Sequence, residues 1–151
     1  MRSAGVHEVL SGWTAGDHEA AAPHLTYLQQ ARGLAFTGSC LELLDLDPVT
    51  VCVLPAPAGA LGHMTTGAFL DLWWAVAERV AAGATRRAVV ALVAPGSLGA
   101  YDALVLVGRP RIHGSGLRYD AELVEGVLPA SSGSCLLVVH PAAAPTPAAT
   151  A

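Results

Sequence analysis

The segment GHMTTGAFLDLWW, residues 62–74, holds the side chains whose types and spacing could do chemistry. Thr65 and Thr66 stand immediately before Gly67, and Asp71 follows one helical turn later. At the start of a helix, free backbone amides and the helix dipole stabilise negative charge, so they could hold the oxygen of a carbonyl under attack. The segment therefore combines an anion-stabilising helix start with a carboxylate close to it.

The same segment opens the one long helix that the sequence predicts. Thr65 or Thr66 caps its first turn, and the helical pattern continues until Gly83 ends it. At 100° per residue, four apolar side chains share one stripe that we expect to pack on a sheet: Phe69, Trp73, Val76 and Val80. Three other side chains fall on the opposite side: Asp71, Trp74 and Glu78.

Strand-like segments surround this helix. Before it, CLELL and VTVCVLP flank the turn signal DLDP and predict a hairpin. After it, the apolar and alternating patterns predict three or four further strands: RAVVALVAP, DALVLVGRPRI, LRYDAELVEG and SCLLVVHP. A short helix is expected within residues 17–32, with Asp17 as a candidate cap. The order is an α+β pattern in which an antiparallel sheet wraps one long central helix.

Composition limits the partners that the chain can have. Its 151 residues are 53% hydrophobic and only 13% charged, which favours a homodimer or homotetramer that covers apolar surface. The net charge of -4, with eight Arg and no Lys, leaves no basic stripe for nucleic acid. Pro and Gly interrupt the longest apolar stretches before they could cross a membrane.

Cysteine and histidine usage adds two further expectations. The three cysteines form no C-x-x-C pair, and no basic segment leads into an apolar run at the N-terminus, so a cytoplasmic location is expected. No set of Cys, His and acidic residues has the spacing of metal ligands, so no metal is expected.

The order of elements resembles the hotdog fold of acyl-CoA and acyl-carrier thioesterases, over roughly residues 37–140. Phenylacetate-type members carry Asn-x-x-Gly-x-x-His-Gly-Gly before the helix, and an acid seven residues after the last Gly. On this sequence Gly62 and Gly67 match the first and last Gly, Thr65 takes the His position, and Trp74 takes the acid position. In the fluoroacetyl-CoA thioesterase branch, the Thr of this turn falls on Thr66 and the Glu again falls on Trp74.

The resemblance implies a domain organisation. An N-terminal segment with the short helix covers residues 1–36, the hotdog domain covers 37–140, and residues 141–151 form an Ala/Pro tail whose composition predicts disorder. The resemblance also implies an enzyme that hydrolyses an acyl-CoA or acyl-carrier-protein thioester. Coenzyme A or phosphopantetheine would be part of the substrate, no other cofactor is implied, and a carrier protein is a candidate partner.

Because Trp74 occupies the acid position, the implied site is divergent. Asp71, which is nearer the helix start, is the candidate base, and Thr65 or Thr66 is a candidate catalytic hydroxyl. Three further residues are expected to contact the substrate: Gly67, His63 and Trp74. The alternative is a non-hydrolytic hotdog protein that binds an acyl or polyketide-like ligand, or that catalyses its cyclisation, elimination or isomerisation.

Overall fold

The computed structural model describes residues 24–54, 61–79, 85–93 and 100–141. Within these ranges the chain forms one helix and nine strands. In chain order these elements are β1 Thr26–Phe36, β2 Cys40–Leu46, β3 Val49–Val53, β4 Leu61–Thr65, α1 Thr66–Arg79, β5 Thr85–Val93, β6 Ala100–His113, β7 Gly116–Glu125, β8 Ser131–Ser132 and β9 Cys135–Val139.

Six of the strands form a closed antiparallel barrel. Around the barrel, each strand pairs with the next in the order β1, β2, β7, β6, β5 and β9, and β9 pairs again with β1. β3 pairs with the first residues of β1, and β4 pairs with β3. β8 pairs with β1 near its C-terminal end. Alternating strand residues fill the interior, which is why the buried set is dominated by Leu and Val.

The predicted hotdog fold is wrong. In that α+β fold an antiparallel sheet wraps one long central helix, whereas here the sheet closes on itself around strand side chains. α1 has 14 residues, and its apolar face joins the same core. The two folds have a similar order of elements along the chain, and hydrophobic periodicity does not encode which strands pair.

β1 replaces a predicted helix. The short helix expected within residues 17–32 is wrong over the described residues, because Thr26–Phe36 is a strand. The sequence interpretation had placed this segment before the hotdog domain. Leu25, Tyr27, Gln29 and Ala31 are buried in alternation, which is the period of a strand. Gln and Ala favour helices, but pairing with β2, β3 and β9 outweighs that propensity. Residues 17–23 and the tail after residue 141 lie outside the described ranges.

The predicted hairpin of β2 and β3 is also wrong, although both strands are present. Each pairs with the same edge of β1, β3 along residues 26–28 and β2 along residues 31–36. The connection between them runs over β1, where the Asp47 N–H donates to the Gln30 carbonyl at 2.8 Å. The strands predicted after the helix are confirmed as β5, β6, β7 and β9.

α1 starts where the sequence predicts and buries the predicted side. The Ala68 N–H donates to the Thr65 hydroxyl oxygen at 3.1 Å, which makes Thr65 the N-cap. Phe69 and Trp73 are buried, while Asp71 and Trp74 are exposed. The side chains of Val76 and Glu78, together with Val80 and Gly83, lie outside the described part of the chain. No described helix is both long enough and apolar enough to cross a membrane.

Candidate functional site

The sequence-predicted site lies at the junction of β4 and α1. His63 is exposed on β4, Thr66 is the first residue of the helix, and Gly67 beside it is exposed. The Thr65 hydroxyl oxygen is occupied as the helix cap. This junction therefore holds the helix start that the sequence predicts, with one of its two hydroxyls committed to structure.

Asp71 and Trp74 lie on the solvent side of α1. Asp71 is exposed, and Trp74 keeps 43% of its surface accessible. Among the described residues, no hydrogen bond joins Asp71 to Thr65, Thr66 or His63. The catalytic and substrate-binding roles given to these residues stay predictions.

A buried polar cluster lies beneath α1 and was not predicted as a unit. The guanidinium carbon of Arg86 is 5.1 Å from the ring centre of Trp73 and 5.3 Å from that of Tyr27, so two aromatic faces flank the cation. Its Nη1 donates to the Leu25 carbonyl at 3.4 Å. The Tyr119 hydroxyl donates to Gln29 Oε1 at 2.6 Å. This cluster ties β1, β5 and β7 to α1 through polar and cation–π contacts.

Burial determines the ionisation of this cluster. It raises the pKa of Tyr27 to about 12, an effect that the Arg86 guanidinium partly offsets, and it also raises the pKa of Tyr119. Burial lowers the pKa of Arg86 from its ordinary value, against the favourable influence of Tyr27. Both phenols therefore stay protonated at neutral pH, which makes them poor bases and favours a structural role for the cluster.

Two cysteine thiols are equally unsuited to catalysis. Burial raises the pKa of both Cys52 and Cys135 to about 11. The thiolate is the nucleophilic form, so these thiols are inert at neutral pH. Both are buried and act as small core residues.

An open groove of about 610 Å³ lies over the middle of β1. It forms where the neighbour of β1 changes from β3 to β2, beneath the connection between those two strands. The β6–β7 turn and the β8–β9 turn close its other sides. Its polar side chains come from all of these parts: Gln30, Arg32, Asp45, Asp47, Ser115 and Ser134.

Asp45 is held in a defined conformation within this groove. Its φ of 50° lies in the left-handed region, which Asp tolerates better than most residues. The Ser115 hydroxyl donates to Asp45 Oδ1 at 2.8 Å, and the Asp45 N–H donates back to the Ser115 hydroxyl oxygen at 3.1 Å. Asp47 Oδ1 accepts from the Val49 N–H at 2.9 Å, which fixes the second carboxylate. The two acids are therefore preorganised before any ligand arrives.

Sequence reasoning missed this groove, although it identified one of its parts. DLDP was recognised as a turn signal. Asp45 and Ser115 are 70 residues apart in sequence, and only barrel closure brings them into contact. No local pattern could have shown this.

Comparisons with protein-family models, curated proteins and solved structures found no match for this chain. The hotdog resemblance thus has no independent support, and function has to be argued from the geometry.

Proposed function

We propose that this protein binds a small hydrophilic molecule in the groove formed by Asp45, Asp47 and Ser115. The observation that carries the proposal is the groove itself, whose volume of about 610 Å³ lies within the range of small-molecule sites. It is open in the structure as it stands, so a ligand could enter without displacing the core.

The lining indicates the kind of molecule. The residues that line it carry two carboxylates, one guanidinium from Arg32, the Gln30 carboxamide and two serine hydroxyls. Such a mixture of donors and acceptors, with one excess negative charge, suits a ligand rich in hydroxyl groups that also carries an amine. An amino sugar or an amino polyol has this character.

The experiment is a thermal-shift and calorimetric titration with glucosamine, other amino sugars, neutral sugars and simple amines. We expect an amino sugar to raise the melting temperature and to bind saturably. Asp45→Asn should weaken this binding roughly tenfold, because it removes a charge-assisted contact while Asn still tolerates the left-handed conformation.

Asp71→Asn is the matched control, since it makes the same chemical change at an exposed carboxylate on α1. It should leave binding in the groove unchanged. If no amino sugar, neutral sugar or amine bound saturably, or if both variants weakened binding equally, the proposal would be wrong.

Thioester hydrolysis stays a prediction, although the chain does not have the hotdog fold that suggested this activity. Acyl thioesters, coenzyme A and a carrier protein stay untested as substrate and partners. The homo-oligomer expected from composition is likewise a proposal, supported by exposed apolar side chains such as Leu61 and Ile112, which are 69% and 63% accessible. A cytoplasmic location is also proposed, and the free thiols of Cys40, Cys52 and Cys135 are consistent with a reducing compartment.

A further inference from the structure

Three arginines lie on the outer face of the sheet formed by β2, β7 and β6: Arg109 and Arg111 on β6, and Arg118 on β7. Glu42, Arg118 and Arg111 form one row across the three strands, because Glu42 pairs with Arg118 and Arg118 pairs with Arg111. The next row contains Cys40 and Asp120. Arg109, which is also on β6, contacts the same Asp120.

Two arginines directly opposite each other are unfavourable unless something compensates. Residues in register on antiparallel strands point to the same side, with Cα atoms about 4.5–5.5 Å apart. Like charges at such positions destabilise the sheet. Arg111 and Arg118 are such a pair, so their side chains start from adjacent positions on one face of the sheet.

Acidic neighbours hold these arginines in place. Arg111 Nη2 is 3.2 Å from Asp120 Oδ1, and Arg109 Nε is 3.3 Å from Asp120 Oδ2. Glu42 Oε2 is 3.2 Å from Arg118 Nη2 and 2.8 Å from His113 Nε2. Three guanidinium groups therefore share two carboxylates. The next acid on β7, Glu122, lines one pocket with Arg109 and Asp120, and it is about 13 Å along the strand from Arg118.

Donor capacity remains on this face. Both side-chain contacts of Arg118 to described residues use Nη2, and neither of them uses Nη1. A guanidinium has five N–H donors, so these contacts leave others available. Arg111 and Arg118 also keep 43% and 35% of their side-chain surface accessible. A ligand from solvent can reach them.

The backbone beside Arg111 has irregular strand pairing and an unusual conformation. The pairing of β6 with β7 is irregular between Gly108 and Arg111, and Arg109 has a φ of 52°, which is unusual for a long side chain. Arg111 Nη1 donates to the Arg109 carbonyl at 2.8 Å, which anchors its guanidinium. Strained residues of this kind persist where the surrounding structure enforces them.

We propose that this face binds the phosphate group of a small molecule, held between Arg111 and Arg118. A planar guanidinium fork matches the spacing of phosphate oxygens, and two forks on adjacent strands supply parallel charge-assisted hydrogen bonds. Bound phosphate relieves the repulsion between Arg111 and Arg118 across the β6–β7 pair. This inference is independent of the ligand that occupies the groove.

The test is calorimetric titration of the full chain with inorganic phosphate and with pyrophosphate, at constant ionic strength maintained with chloride. We expect saturable binding that is tighter for pyrophosphate. Arg111→Gln and Arg118→Gln should each weaken it roughly tenfold or more, as expected for the loss of hydrogen bonds to a charged group. Circular dichroism melting shows whether each variant is folded.

Arg87→Gln is the matched control, because Arg87 is an exposed arginine on β5 outside this cluster. It should leave the affinity within about twofold of the original, as expected for a surface charge away from the site. The absence of saturable binding to either probe would overturn the proposal. Equal weakening by Arg87→Gln would also overturn it, because attraction would then reflect net charge alone.

Discussion

Arg86 shows how a single charged residue can be kept inside this core. It is 2% exposed, and it lies between the rings of Tyr27 and Trp73 while donating to the Leu25 carbonyl. Cation–π contacts and a backbone acceptor offset part of the desolvation penalty of the guanidinium. Because Arg86 is buried and held by these contacts, a structural role is a better interpretation than binding of a ligand from solvent.

Tyr27 gives this environment a pH dependence. Burial raises its pKa from 10.0 to about 12. The folded state therefore keeps a proton that the unfolded state has already released, so this stabilisation is present below pH 10 and is lost as pH rises through 12. At about 1.4 kcal/mol for each pH unit, the loss is on the order of 3 kcal/mol.

Urea unfolding between pH 9 and 12 measures this effect. The original protein should lose more stability across that range than Tyr27→Phe, which has no phenol to ionise. The buried thiols of Cys52 and Cys135 are present in both proteins, so most of their contribution cancels in the comparison. Parallel pH profiles for the two proteins would contradict the expectation.

At the scale of elements, the junction of β4 and α1 depends on one hydroxyl. Thr65 ends the strand and caps the helix through the Ala68 N–H. Thr65→Ala should lower the free energy of unfolding by about 1 kcal/mol, because it leaves an amide of the first turn without its acceptor.

Thr66→Ala is the control for this prediction, since Thr66 is the next residue and the first of the helix. It should change stability by no more than about 0.5 kcal/mol. Chemical denaturation of the two variants separates the roles of the threonines. A larger loss for Thr66→Ala would show that the cap has been assigned to the wrong hydroxyl.

At the scale of the whole molecule, the barrel depends on the close approach of β2 and β7. A Cβ atom at Gly116 would overlap the carbonyl oxygen of Leu43, and that atom belongs to backbone that cannot turn aside. The β2–β7 pair is one of the contacts that close the barrel. Only glycine permits this approach.

Gly116→Ala should therefore destabilise the protein by about 3 kcal/mol, at the upper end of the usual cost of overpacking. Gly133→Ala is the control, because no heavy atom lies within 4 Å of the position of its added Cβ. A lower melting temperature for Gly116→Ala than for Gly133→Ala would support the close approach of β2 to β7. Equal melting temperatures would show that the approach of β2 to β7 is not tight.

The sequence predicted the positions of the strands better than it predicted which strands pair with each other. Apolar alternation identified β5, β6, β7 and β9, and helical spacing identified the buried stripe of Phe69 and Trp73 together with the exposed Asp71. It failed at β1, whose Gln and Ala residues favour a helix, and at β4, which was interpreted as part of a turn. Of the residues in the groove, Asp45 and Asp47 were noted only as turn formers.

The sequence by itself determined the segments of β2, β3, β5, β6, β7 and β9, the start of α1 and the buried stripe of Phe69 and Trp73, because periodicity and capping are local properties of the chain. Only the tertiary structure decided that β1 pairs with β2, β3 and β9, that Asp45 meets Ser115, and that Arg111 faces Arg118. These contacts depend on which strands share an edge and in which register. That choice minimises the free energy of the whole barrel, so no single segment encodes it.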